Sequence, residues 1–228
     1  MKRKQITQII NTKWCPQHLK ILIAEFLSWF VVKVNATKPF VPVIEDTLEN
    51  SGYKNIINID LKIGAGIESL AQFLNPEISI SNVPYPEFSA DRKGLYLFAN
   101  GFHQLPEKEA AKVLKTIAEN GHPVVVVEGN NDSLWQIVGM TVFVPLTVLL
   151  TAPFVKPFRF SRIFFTYLFP VLPIIILVDG CLALLKLYNP KDLLELTVAL
   201  KVPNFQWTAG KNDNNRGGKI IYLTGQKI

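Results

Sequence analysis

The sequence predicts an α/β fold: a Rossmann-like, mainly parallel sheet that ends in an antiparallel hairpin and carries an apolar helical insertion. Three observations predict it. Short β-branched runs alternate with helical patterns between residues 55 and 128, which is typical of βαβ units. Two strand-like runs joined by a polar loop end the chain. Between these regions, residues 134–155 form a stretch of 22 residues without a charged side chain.

Residues 1–52 predict two helices. Apolar residues recur at the spacing of one helix face from Pro16 to Val34. A second helix is expected from about Val41 to Ser51, because Gly52 can adopt the left-handed conformation that often ends a helix.

A strand, a glycine turn and a helix follow. The β-branched run Asn55–Asp60 predicts a buried strand. The segment Lys62-Ile-Gly64-Ala-Gly66 predicts a tight turn, and a helix is expected from Glu68 to Leu74. The stretch from Leu74 to Leu95 shows only a faint strand pattern, at Ile78–Ile80. It is too short for two complete strand–helix units. We therefore expect the sheet to lack a strand on that side.

The next segments alternate strand and helix again. Gly94–Asn100 and His122–Glu128 are apolar runs that predict buried strands. Between them, Pro106–Asn120 predicts a helix, with proline and two acidic residues in its first turn. After the apolar stretch, Asn189 is the expected N-cap of a helix that reaches about Leu200.

The last two strands are expected at Asn204–Thr208 and Lys219–Thr224, with the polar loop 211–218 between them. The length of 228 residues favours one domain over residues 1–228. In this interpretation the apolar insertion, at about residues 133–188, is part of that domain.

Composition favours a membrane surface over nucleic acid as partner. The formal net charge is +6, and the hydrophobic content of 49% is high for a cytosolic protein. Positive charge attracts either nucleic acid or acidic lipid. No arginine-rich run or RNA-binding signature appears, so no nucleic-acid partner is expected. Two cysteines and the absence of a secretion signal indicate a reduced, cytoplasmic location.

Two parts of the sequence resemble a known family. The segment Asp60-Leu-Lys-Ile-Gly64-Ala-Gly66 resembles the first motif of the class I S-adenosylmethionine-dependent methyltransferases, acid-x-Gly-x-Gly-x-Gly. Residues 151–162 (TAPFVKPFRFSR), Phe165–Pro170 and Asp179-Gly180 are similar to segments of an uncharacterised bacterial group of methyltransferase-like proteins. The similarity extends over most of the chain, from Trp14 to Gly225.

The resemblance implies a cofactor cleft at the carboxyl ends of the central strands. It implies that S-adenosylmethionine contacts Asp60, Gly64, Gly66 and Asn100. Four positions depart from the family pattern. Lys62 stands where many members have a glycine, and Ile63 and Glu68 replace small or polar residues that are common in the group. Asn82 stands where a carboxylate usually meets the ribose hydroxyls. These departures keep open a second hypothesis, a non-catalytic binding module with the same fold.

Three polar residues near predicted strand ends are candidates for chemistry. His103 can act as a general base near neutral pH, or it can cap the turn before the next helix. Glu128 and Asp132 flank the turn after the strongest strand, where they could orient a polar substrate. Two acids are weak evidence for a metal, and Asp132 more simply caps the following helix. No metal site is predicted.

The apolar insertion has three interpretations. It can be a pair of membrane spans, since about 20 residues cross a bilayer. It can lie in the membrane plane, or it can be buried by protein as a cap or a homodimer interface. In the in-plane interpretation, aromatic residues lie at the level of the lipid headgroups and cations meet anionic lipid. The expected contacts are Trp135, Lys156, Phe158, Arg159, Phe160, Arg162 and Tyr167.

The sequence therefore predicts a methyltransferase-like protein at the cytoplasmic face of a membrane. Its activity would be transfer of a methyl group from S-adenosylmethionine to a small or lipid-like acceptor. The non-catalytic binding module and an integral membrane protein with two spans are the alternatives.

Overall fold

A computed structural model of the chain describes residues 6–61, 67–129, 134–215 and 217–228. The chain divides into two compact units, where the sequence predicts one domain. Unit 1 contains Met1–Val34 and Asp132–Leu187, and unit 2 contains Asn35–Asn131 and Tyr188–Ile228. The apolar insertion thus forms a unit with the N-terminal segment. The two helices predicted for residues 1–52 belong to different units.

Unit 2 is built on a six-stranded sheet that confirms the predicted fold class. The strands are β1 (Asn55–Asp60), β2 (Ser79–Pro84), β3 (Leu95–Ala99), β4 (Val124–Glu128), β5 (Phe205–Asp213) and β6 (Lys219–Lys227). Their order is β2-β1-β3-β4-β6-β5. Strands β1 to β4 are mutually parallel, and β6 is antiparallel to both β4 and β5.

The central strands form because their apolar runs are buried on both faces. All five residues of β3 and of β4 are buried, and so are the four inner residues of β1. Continuous apolar runs of this kind are typical of parallel strands covered on both sides. A core on one face joins these strands to the second helix of the chain. Its members include Phe40, Ile44, Leu48, Ile56, Leu97 and Val125.

Strand β2 is the edge of the sheet and extends well beyond the faint pattern at Ile78–Ile80. Every residue from Ser79 to Pro84 pairs in register with a residue of β1. Four of these six residues are exposed, so the strand is held mainly by its backbone pairing. In the part of the chain that the structure describes, β2 is the one strand on that side of β1. The expected shortening of the sheet is therefore observed.

The helices of unit 2 lie near their predicted positions. They are α2 (Val41–Ser51), α3 (Ile67–Ala71), α4 (Glu107–Glu119) and α8 (Pro190–Val198). The predicted cap of the last helix is confirmed, since the Asn189 side chain accepts a hydrogen bond from the Asp192 backbone N–H at 2.9 Å. Asp192 in turn accepts one from the Asn189 N–H at 3.3 Å. This reciprocal pair is a capping box.

The terminal hairpin is longer than the sequence predicts. Strands β5 and β6 pair from Phe205↔Lys227 to Asp213↔Lys219. The polar residues 211–213 were expected in the loop but join the ladder. Backbone hydrogen bonds between strands do not require apolar side chains, so the pairing continues through polar residues.

Unit 1 consists of apolar helices. They are α1 (Gln17–Lys33), α5 (Leu134–Thr151), α6 (Phe160–Ile163), a π-helix (Phe164–Leu168) and α7 (Val171–Lys186). Helices α5 and α7 pack antiparallel: Met140 near the start of α5 meets Gly180 late in α7. Val148 of α5 shares a core with Leu172 of α7 and with Leu22 of α1.

Candidate functional site

The order of the strands reverses between β1 and β3, so their carboxyl ends are the candidate site. The chain passes from β1 to β2 on one side and then crosses to β3 on the other side of β1. In open α/β sheets, ligands bind at the carboxyl ends of the strands where the order reverses in this way. Asp60 is the last residue of β1, and Asn100 directly follows β3. The segment predicted to form the glycine turn, with Lys62, Gly64 and Gly66, lies outside the described residues.

Asn100 connects the ends of β3 and β4. Its backbone N–H donates to the carbonyl of Val127 at 2.8 Å, and its side-chain Oδ1 accepts from the Gly129 N–H at 2.7 Å. Its φ of 54° is in the left-handed region, which asparagine tolerates better than most residues. The resemblance implied cofactor contact for Asn100. The structure shows that its amide oxygen is bound to the backbone of the neighbouring strand end.

His103 and Glu128 form a buried pair at the carboxyl ends of β3 and β4. His103 lies in the 3₁₀ turn Phe102–Gln104 after β3, and Glu128 is the last residue of β4. The Glu128 carboxylate accepts from the His103 backbone N–H at 3.0 Å, and ring Nδ1 lies 3.1 Å from both of its oxygens. Both side chains are buried. The sequence drew attention to each residue separately but did not pair them. The available signal was that His103 follows one of two adjacent parallel strands and Glu128 ends the other.

The pair restricts what the imidazole can do. An ionised carboxylate only accepts hydrogen bonds, so with an ionised Glu128 the donor of this contact is Nδ1–H of His103. In the neutral ring the basic nitrogen is then Nε2. A carboxylate that orients a histidine in this way is a common arrangement in general-base catalysis. The same contacts also hold the 102–104 turn against the end of β4.

Asn82 lies within β2 and not at its end. It pairs in register with Asn58 of β1, whose Nδ2 donates to Asn82 Oδ1 at 3.0 Å. The strand continues for two more residues to Pro84. The first carboxylate after that end is Glu87, which is exposed and closes the 3₁₀ turn Tyr85–Glu87. Sequence reasoning missed Glu87 because it placed the end of this strand too early.

A cavity of about 320 Å³ lies at the opposite end of the sheet. Its lining includes Glu45, Glu49, Tyr53 and Lys54, and the last two directly precede β1. The cavity therefore lies near the amino ends of β1 and β2, away from Asp60 and Asn100. Among the described residues, no group of three His, Cys, Asp or Glu side chains could hold a metal ion. Asp132, the second acid considered for a metal, lies outside that part of the chain.

The residues predicted to contact membrane divide into two groups in unit 1. Trp135, Phe158, Phe160 and Tyr167 expose about half of their surface or more, and Lys156 is exposed. Arg162 is fully buried, and Arg159 is partly buried. Lipid headgroups therefore cannot reach Arg162 in this structure.

Glu25 of α1 binds both arginines. Arg159 donates from Nε to the two oxygens of Glu25 at 2.9 Å and from Nη2 at 2.7 Å. Arg162 Nη2 donates to the same carboxylate, while its Nη1 donates to the carbonyls of Val155 at 2.8 Å and Pro157 at 3.0 Å. The hydrogen bond from Arg159 lowers the pKa of Glu25, and the charges of both arginines lower it further. In the sequence, Glu25 was only an acid that interrupted an apolar stretch.

Asp179 is a second buried acid in unit 1. Its two oxygens accept hydrogen bonds from the backbone N–H groups of Ile9 at 2.5 Å and Ile10 at 2.9 Å. The side chain of Gln8 donates to the Asp179 carbonyl at 3.1 Å. Asp179 therefore fixes the segment before α1 onto α7. This explains an acid within an apolar helix without a catalytic role.

Comparison with protein-family models finds no match for this chain, and comparison with curated proteins finds none either. The geometry at the carboxyl ends of β1, β3 and β4 is therefore the basis for the function proposed below.

Proposed function

We propose that unit 2 binds S-adenosylmethionine at the carboxyl ends of β1 and β3 and acts as a methyltransferase-like enzyme. The observation that carries the proposal is the reversal of strand order beside β1. It lies where the Asp60…Gly64…Gly66 motif leaves the strand. The terminal antiparallel hairpin supports the same family resemblance. The acceptor that we propose is small or lipid-like, and the location is the cytoplasmic face of a membrane.

The side chains at this end of the sheet suit the cofactor in part. Asp60 offers a carboxylate that can accept hydrogen bonds from the ammonium group of the methionine moiety. Glu87, shortly after β2, offers a second carboxylate, which can accept from ribose hydroxyls. When bound, S-adenosylmethionine supplies an electrophilic methyl group. Transfer of this kind depends mainly on positioning the acceptor, so the protein needs few catalytic side chains.

His103 has the chemistry of a base for this reaction. Glu128 holds the proton on Nδ1, so Nε2 can take the proton that the acceptor loses. Because both residues are buried, an acceptor reaches Nε2 only after a local conformational change. We therefore propose His103 as the base and Glu128 as the residue that positions it.

A second candidate is a non-catalytic binding module with this fold. It is favoured by one specific observation: the polar side chain that follows β3 is already bound within the protein. Asn100 Oδ1 is occupied by the Gly129 N–H. A site that has lost its cofactor is expected to use its polar side chains in this way.

Calorimetry with S-adenosylhomocysteine on the purified full chain separates the two candidates. Binding by the wild type and at least tenfold weaker binding by Asp60→Asn and Gly64→Leu is the result expected for the cofactor site. Asp46→Asn is the matched control, because Asp46 is exposed on α2 and lies on no strand end. Absence of heat at millimolar ligand, with a folded wild type, would remove the methyltransferase proposal and favour the binding module.

A further inference from the structure

Helix α5 exposes an apolar surface that the rest of unit 1 leaves uncovered. The segment Trp135–Phe154 has a mean hydropathy of 2.0, yet only 11% of its apolar window is buried. A helix that is hydrophobic on all sides normally lies inside a protein core or inside a membrane. A core helix would be mostly buried, so α5 requires a covering that the described residues of unit 1 do not supply.

The exposed apolar residues lie on one broad side of the helix. At about 100° per residue, they cover roughly 140° of the circumference. The opposite side carries Met140 and Val148, which face α7 and its core. The exposed apolar residues of α5 are Trp135, Val138, Val142, Phe143, Leu146, Leu149 and Leu150. The seam that a single partner helix covers is narrower than this exposed side of α5, whereas fluid acyl chains cover a surface of any width.

The length of the surface matches a bilayer. Twenty helical residues extend about 30 Å, which is the thickness of the hydrocarbon region. The apolar surface continues on the segment after α5, where the helices Phe160–Leu168 and Val171–Lys186 meet at a bend of 80°. Phe160, Leu168 and Ile174 of this pair are also exposed.

The two arginines of the insertion already have a partner within the protein. One carboxylate, that of Glu25, binds both Arg159 and Arg162, so both guanidinium groups are paired, although one positive charge of the cluster remains. An arginine that is already bound to a carboxylate has little left to gain from an anionic lipid, since it would have to give up that partner. Lys156 is exposed, but one lysine contributes only a modest attraction to anionic membrane.

We propose that unit 1 binds a lipid bilayer by inserting its apolar surface into the hydrocarbon. Electrostatic attraction between Arg159 or Arg162 and anionic headgroups does not drive the binding. This inference is independent of the cofactor site, because it rests on residues of unit 1 alone. It predicts membrane binding that is insensitive to salt and does not require anionic lipid.

Flotation with vesicles tests the proposal on the full chain. The vesicles are pure phosphatidylcholine, or phosphatidylcholine with one quarter phosphatidylglycerol, each at 0.1 and 1 M NaCl. Hydrocarbon insertion predicts that the floated fraction changes less than twofold among the four conditions. Binding that requires phosphatidylglycerol, or that is released at 1 M NaCl, would overturn the proposal in favour of headgroup attraction. A stable dimer that does not float would overturn it in favour of a second copy of the chain.

A double variant tests which surface is used. Leu146→Glu with Leu150→Glu places two charges on the exposed side of α5 and should reduce vesicle binding at least tenfold. Val198→Glu is the matched control, because Val198 is an equally apolar, exposed residue at the end of α8 in unit 2. It should change binding less than twofold. Wild-type binding by the double variant, with an unchanged circular dichroism spectrum, would show that α5 is not the inserting surface.

Discussion

The carboxylate of Glu128 binds His103 twice, through the backbone N–H at 3.0 Å and through ring Nδ1 at 3.1 Å. One acid at the end of β4 thus fixes both the turn after β3 and the orientation of the imidazole. Because the backbone contact alone would stabilise the turn, the ring contact is the feature that suggests chemistry.

Nuclear magnetic resonance can test the protonation of His103. We expect its nitrogen shifts to show a proton on Nδ1 in the wild type, because the carboxylate cannot donate. A neutral ring with its proton on Nε2 would contradict the pairing.

Glu128→Ala should lower the free energy of unfolding by about 1–3 kcal/mol, since buried donors lose their acceptor. Glu119→Ala, at an exposed acid on α4, is the control and should have a much smaller effect.

The buried cluster in unit 1 predicts a large effect of Glu25→Gln. Arg162 is fully buried, and removal of its carboxylate leaves a buried charge without compensation. Loss of one partner of a buried pair costs about 3–5 kcal/mol. The thermal midpoint, followed by circular dichroism, should fall by several degrees. Glu77→Gln breaks the exposed pair with Lys54 and should leave the midpoint nearly unchanged, and equal effects of the two substitutions would contradict the assignment.

The same carboxylate predicts how stability depends on pH. The folded-state pKa of Glu25 lies below that of an unfolded glutamate, which is about 4.3. The stabilisation is therefore complete above that value and is lost as the pH falls through the folded-state pKa. The difference in thermal midpoint between wild type and Glu25→Gln should be constant from pH 6 to 8. It should shrink in acid, and a difference that grows in acid would show that the charge on Glu25 is not stabilising.

Gly129 is closely packed against two neighbouring side chains. A Cβ atom at this position would lie 3.0 Å from Asn100 Oδ1 and 3.4 Å from Cζ of Phe40, which is fully buried. Gly129→Ala should push the Asn100 side chain away and lower the free energy of unfolding by about 1–3 kcal/mol. Gly139→Ala is the control: its Cβ would meet no atom closer than 4.0 Å. Since alanine favours a helix, that control should be neutral or stabilising, and equal losses would contradict the contact.

Local sequence patterns predicted the elements that are buried because their own residues are apolar. Strands β3 and β4 are continuous apolar runs, and the uncharged stretch after residue 133 is visible without any structure. The cap at Asn189 could be predicted because its partner, Asp192, is three residues away. In each case the determining interaction is local, or it depends only on hydrophobicity.

The contacts of the candidate site were decided by the tertiary structure. Strand β2 has a mostly exposed, polar sequence and becomes a strand only by pairing with β1. His103 and Glu128 are 25 residues apart and meet because β3 and β4 are neighbours. Glu25 meets Arg159 across 134 residues because α1 packs against the insertion. The sequence by itself determined which segments are apolar and which can be strands or helices. Only the fold decided which polar side chains share a partner, because that depends on which elements are neighbours, and no local pattern encodes it.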